Sequence, residues 1–199
     1  MNKFERQHNL FNNNDVIILE ESLSKEITIT KKVIQEWQFK IIQHQSPIFK
    51  YGCKDTNQTS LFESLPENSN ETFNPTELTP LPLSFWRRPN TTHVGAAVYF
   101  VMDKIISSNE EIILYIGETI SAEQRWKGEH DCKSYLSSYS ETLQKAKVKT
   151  NLNIRFWMDV PFNTKERRKL EQSLIQAWLP PFNKETRGIW ATPFTSQIS

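Results

Sequence analysis

Two tyrosines sit in short apolar runs near the middle of this 199-residue chain, Tyr99 within Ala96 to Met102 and Tyr115 within Ile112 to Ile116. Both runs have the length and the β-branched or aromatic bias of strands, and the second stops at Gly117. A hairpin turning at Ser107-Ser108-Asn109 would set Tyr99 opposite Tyr115, with two phenols side by side on one sheet face. Arg125 follows Gly117 by eight residues, and a guanidinium is a fork suited to phosphate or carboxylate oxygens. Glu171 is the most telling position. It falls among Leu170, Leu174, Ile175 and Trp178 at helical spacing, inside the stripe that should face the sheet. An ionised carboxylate buried without compensation costs several kcal/mol, so Glu171 is expected to be paired, protonated or metal-bound. The bland alternative is a stripe-edge glutamate or an internal ion pair with Arg125.

Other reactive types carry weaker signals. His130-Asp131-Cys132 matches no zinc spacing, and Cys53 lies in another segment. Two cysteines cannot make a disulfide framework, which fits a reducing compartment. No apolar run is long enough to span a bilayer and the start is polar, so a soluble cytoplasmic protein is expected. The net charge of +1 neither demands nor excludes a polyanionic partner, so only local clusters can speak for one. Lys145/Lys147/Lys149 and Lys165/Arg167/Arg168/Lys169 are such clusters, ordinarily solvated faces and otherwise phosphate contacts.

The elements that must position these residues divide the chain near residue 88. In the first part, Val33, Ile34, Trp37, Ile41 and Ile42 predict one amphipathic helix over Lys32 to Gln43, ended by Ser46-Pro47. Val16 to Leu19 and Glu26 to Thr30 read equally as strand or helix. A proline-rich connector follows, with Phe73, Leu78, Leu81, Phe85 and Trp86 as anchors. Residues 89–199 read as strand, strand, helices over Ser121 to Lys127 and Asp131 to Lys147, a strand over Asn153 to Val160, and a helix to Trp178. Asn163 and Glu166 form the capping box of that last helix. The order makes residues 89–199 a small α+β domain behind a mainly helical and irregular extension, 1–88.

Taken together, Ala97-Val98-Tyr99, Tyr115-Ile116-Gly117, Arg125, Glu171 and Asn183 resemble the GIY-YIG nuclease superfamily, over roughly residues 93–185. The segments Arg125 to Lys133 and Trp178 to Glu185 are also similar to stand-alone bacterial members, cyanobacterial ones especially. The resemblance implies a three-stranded antiparallel sheet flanked by helices and hydrolysis of DNA phosphodiesters with one magnesium or manganese ion. Carried onto this chain, Glu171 would ligate the metal. Tyr115 would be a general base or water-positioning phenol with Tyr99 beside it, Arg125 would hold the phosphate, and Asn183 would support the site. Lys127, Lys133, Arg167 and Arg168 are the expected nucleic-acid contacts. His130, five residues after Arg125 where restriction-type members have a histidine four after, is a further candidate base. Glu118 stands where several relatives have lysine, and the first triplet is Ala-Val-Tyr rather than Gly-Ile-Tyr. Two other readings are a nucleic-acid-binding module without turnover on the same scaffold, and a protein-interaction factor. RNA is not excluded as a substrate, and the oligomeric state is left open.

Overall fold

The two tyrosine-bearing runs form a hairpin, β2 (Ala97–Ile105) and β3 (Glu110–Thr119), with β2 inside an antiparallel sheet and β3 at its edge. The structure is a computed structural model, describing residues 13–52, 73–87, 95–127 and 131–193. The chain turns through residues 106–109, where Asn109 takes a left-handed φ of 57°. The register differs from the symmetric expectation: Tyr99 pairs with Gly117, and Tyr115 with Val101. One step comes from the turn, which pairs Ile105 with Glu110 and so centres between residues 107 and 108, and the second comes from a bulge. Val101 pairs with Tyr115 but Met102 with Ile113, so Leu114 is an extra residue on β3. Leu114 and Tyr115 both pack toward the same core, and the two phenols become diagonal rather than direct neighbours.

The sheet has four strands rather than three, in the order β1-β4-β2-β3. β4 (Leu152–Trp157) lies along the other side of β2, and β1 (Leu81–Pro82) pairs with Ile154 and Asn153. β1 comes from the proline-rich connector, where Pro82 is tolerable because the strand is an edge. Phe73 of the same connector stacks on Trp157 at 4.0 Å, and Phe85 is buried in the main core, so the described part of the connector hugs the sheet as expected.

Helices cover both faces, so β2 is buried along nearly its whole length. On one face Ile34, Trp37 and Ile41 of α1 (Asn13–Tyr51) join Tyr99, Val101 and Tyr139. α2 (Ala122–Lys127) and α3 (Asp131–Lys145) flank the same side. On the other face Leu174, Ile175 and Trp178 of α4 (Thr164–Trp178) meet Val98, Phe100 and Ile116. α4 starts at Asn163, whose side chain accepts from the Lys165 amide at 2.8 Å, and ends where Leu179 turns left-handed.

α1 runs through Pro47 instead of stopping there, and the two ambiguous segments before it are helical. The turn beyond Pro47 is held from outside: Phe49 packs on Trp178 at 4.5 Å, and its carbonyl accepts from Asn74. Tertiary packing outweighs the hydrogen bond the proline removes. Because α1 lies in the sheet's main core, it shares one hydrophobic interior with residues 97–182. The expected boundary near residue 88 falls outside the described residues. Among those described, no helix is long and apolar enough to cross a membrane.

A buried polar chain also ties α1 and α3 to β2. Gln38 donates to the Tyr139 hydroxyl at 2.6 Å, which donates to Asp103 at 2.8 Å, while Thr150 and the Asn151 amide donate to the same carboxylate. Burial raises the Asp103 pKa against those three bonds.

β3 is the other edge of the sheet, and its outward backbone groups are met from elsewhere. Gln45 of α1, fully buried, accepts from the Ile113 amide at 2.7 Å and donates to the Ile113 and Trp178 carbonyls. The Phe182 amide donates to the carbonyl of the bulge residue Leu114 at 3.0 Å. Gln45→Leu keeps the volume but orphans three backbone groups. At roughly 1–3 kcal/mol for each buried orphan, with partial relaxation, urea unfolding followed by circular dichroism should show a loss of about 2–4 kcal/mol. A loss under about 0.5 kcal/mol would mean that water reaches this edge.

Candidate active site

Glycine follows Tyr115-Ile116 because of what lies over it. A Cβ on Gly117 would come within 2.4 Å of the Tyr99 Cζ and hydroxyl and 2.9 Å of the Tyr115 ring. Tyr99 is fully buried and cannot give way, so the cross-strand pair requires glycine. The two phenol rings stack with centroids 6.0 Å apart, and Trp126 of α2 packs edge-on against Tyr99 at 5.9 Å. Trp126 thereby seats α2, whose preceding residue, the exposed Arg125, hydrogen-bonds both phenols.

The third side comes from α4 and the segment after it. Glu171 Oε1 accepts from the Glu118 amide at 3.1 Å, at the outer edge of β3. Asn183 clasps the same edge two residues earlier, accepting from the Ile116 amide at 3.0 Å and donating to its carbonyl at 2.8 Å. Tyr115, Arg125, Glu171 and Asn183 thus line one cleft of about 340 Å³, with Tyr135, Lys184 and Glu185 beside them. Tyr99 stands behind Tyr115 and is not part of the lining. Sequence reasoning passed over Tyr135 and the Lys184-Glu185 pair. The latter follow Asn183 directly, which was the available signal.

The electrostatics set each group's role. Burial, then the Glu118 charge, raise the Glu171 carboxyl to about 7, although the Glu118 amide pulls the other way. Among the described residues no cation lies within salt-bridge distance of Glu171, so the ion pair with Arg125 is not formed. Burial pushes the Tyr115 phenol up to about 12, and Tyr99 well above its ordinary value, despite Arg125. Both phenols are therefore protonated at neutral pH and act as hydrogen-bond donors. That favours a positioning role for Tyr115 over a basic one.

A single magnesium or manganese ion is commonly held by one or two carboxylates, with water and substrate phosphate filling the remaining positions. Glu171 leaves Oε2 for such an ion and has Glu185 on the same cleft, so this donor set fits. Among the described residues no group of three or more potential ligands exists, so a closed zinc-type site does not fit.

The remaining candidates are placed differently. Arg167 is fully buried: it donates to Glu118 at 2.8 Å and to the carbonyls of Pro161 and Phe162, so it is not open to phosphate. Arg168 is exposed and reaches the same Glu118 at 3.2 Å. Lys133 donates to the Trp126 carbonyl and lies 5.8 Å from its ring centre, fastening the end of α2. His130 and the Lys127 side chain fall outside the described residues. Glu118 is a structural anion that fixes α4 through Arg167. A scan of protein-family models, a search of curated proteins and a search of solved structures each return no match to this chain.

Two outcomes follow. Gly117→Ala should destabilise by about 1–3 kcal/mol and alter the near-ultraviolet tyrosine dichroism; an unchanged spectrum would place Tyr99 elsewhere. For Glu171 the folded pKa is raised, so its contribution to stability is full below about 4.5 and lost as pH climbs through about 7. Glu171→Gln keeps an acceptor for the Glu118 amide and does not titrate. In metal-free buffer the variant should match wild type near pH 4 and exceed it by pH 8.5. The full shift is worth about 3 kcal/mol, and screening at a half-buried group leaves roughly 1–2 kcal/mol. A difference that does not change with pH would show that Glu171 titrates normally.

Proposed function

We propose that the protein is a metal-dependent endonuclease of the GIY-YIG type, hydrolysing phosphodiester bonds in DNA. The observation that carries this is the convergence of Tyr115, Arg125, Glu171 and Asn183 on one cleft from four separate stretches of chain. Hydrolysis adds water across a P–O ester bond, giving a phosphomonoester and an alcohol. In-line attack builds negative charge on the non-bridging oxygens, which a divalent cation bound at Glu171 would help to neutralise.

The chain's own groups supply the rest. Arg125 offers two parallel N–H donors to the phosphate and remains charged at any working pH. The protonated Tyr115 hydroxyl donates to a phosphate or water oxygen, while Tyr99 and Gly117 hold its ring in place. Among the described residues the Asn183 side chain bonds only the Ile116 backbone of β3, which makes it a positioning residue. Pre-set donors aimed at developing charge are the usual source of large rate effects.

Glu118, held by Arg167 and Arg168 where the resemblance places a lysine in several members, gives specific support to a second reading, a nucleic-acid-binding module without turnover. One panel separates the two. Plasmid, branched, single-stranded and RNA substrates are incubated with magnesium or manganese, beside Glu171→Ala and Arg125→Ala. The nuclease reading expects metal-dependent cutting of DNA that drops about 10²–10³-fold in each variant, with circular dichroism unchanged. Undiminished cutting by Glu171→Ala would sink the assigned mechanism, and binding without cutting under either metal would leave the module.

A further inference from the structure

Phe162 is 90% exposed, and a lone surface phenylalanine needs no explanation. Its mounting does. Phe162 precedes the N-cap Asn163 of α4, where an apolar side chain ordinarily folds back onto the fourth helical residue. That residue is Arg167, which instead turns inward to Glu118 and spends a further nitrogen on the Pro161 and Phe162 carbonyls. The buried guanidinium thus fixes the backbone of the segment while the aromatic ring stands in water.

Behind it, beginning two residues later at Thr164, an open groove of about 850 Å³ runs along the outer face of α4. Its lining holds Lys165, Arg168 and Lys169 and no carboxylate. Among the described residues Lys165 and Lys169 have no acidic partner. Gln172 lines both this groove and the cleft, roughly 12 Å along the helix axis from Thr164. An exposed aromatic on a fixed backbone, at the head of a cationic groove that leads toward the cleft, matches one chemistry. Bases stack on an exposed π-face while cations neutralise the flanking phosphates.

We propose that Phe162 and the Lys165/Arg168/Lys169 face of α4 bind nucleic acid carrying an unstacked base, Phe162 stacking on that base and the cations tracking its backbone toward the cleft. The proposal rests on the nucleic-acid reading of the site but not on turnover. It is tested by fluorescence anisotropy of the full chain in metal-free buffer, with a labelled single strand, the matching duplex, and a duplex bearing a single-base bulge. A 2-aminopurine in each probe reports stacking.

Phe162→Ala should weaken single-strand binding roughly 5- to 150-fold and abolish quenching of the probe, with the salt slope unchanged and Phe162→Trp restoring both. The Lys165→Ala/Lys169→Ala variant should lower the slope of log K against log salt by about 1.4 on the single strand. Bulged duplex affected like the single strand, with plain duplex spared by Phe162→Ala, would assign distorted duplex as a source of the base. Variants within twofold of wild type on all three probes would overturn the proposal. So would an absence of binding at low salt, or a Phe162→Ala effect confined to self-association in sedimentation. If these effects appear but no substrate is ever cut, only the nuclease assignment fails.

Discussion

The outer edge of β3 has to be satisfied by something other than a strand, and the rest of the architecture depends on how. An open edge leaves a row of backbone donors and acceptors that cost free energy if buried dry and invite association if left exposed. Here the row is closed by side chains and one loop amide. Gln45 takes Ile113, Phe182 takes the bulge carbonyl, Asn183 takes Ile116, and Glu171 takes Glu118. The four caps come from three parts of the chain, so α1, α4 and the segment after α4 are all locked to one strand. The bulge at Leu114 belongs to the same arrangement, because it swings Tyr115 toward the cleft side while freeing a carbonyl for Phe182.

The caps and the cleft are therefore one construction. Asn183 and Glu171 close the edge beside Tyr115, and the groups that finish the sheet also wall the cavity. Glu171 has two oxygens with two duties: one holds the strand, and the other is left for a ligand. Burial, and then the two further carboxylates nearby, Glu118 and Glu185, make its charged form unfavourable. Glu118 is itself paired with Arg167 and Arg168. A mutation at Glu118 is thus expected to act through the seating of α4 as much as through charge.

Much of this was legible in the chain. The hairpin, the α4 stripe with Glu171 inside it and the Asn163 cap all follow from periodicity and local chemistry, and the structure places them so. The rest needed partners distant in sequence. The turn centre and the bulge each move the register by one residue and bring Tyr99 onto Gly117, and the bulge is something no symmetric count of hairpin residues can anticipate. Pro47 stays helical because Trp178 and Asn74 hold the turn beyond it. Gln45 reads as a polar residue on a helix until the edge it serves is seen. Arg167 reads as one of four surface cations, yet it alone points inward, because Glu118 on β3 meets it. Tyr115 reads equally as a base or a positioning phenol until the fold shows the burial that raises its pKa. Each miss is a case of a long-range contact overruling a local pattern.

The central claim is that Glu171 holds a divalent cation beside Tyr115. Paramagnetic broadening tests it most directly: manganese is titrated into protein carrying ring-labelled tyrosine, and the tyrosine resonances are followed one by one. The account predicts that Tyr115 and Tyr135, which line the cleft with Glu171, broaden earliest and that the effect is lost in Glu171→Ala. Uniform broadening, or selective broadening that survives in Glu171→Ala, would contradict it.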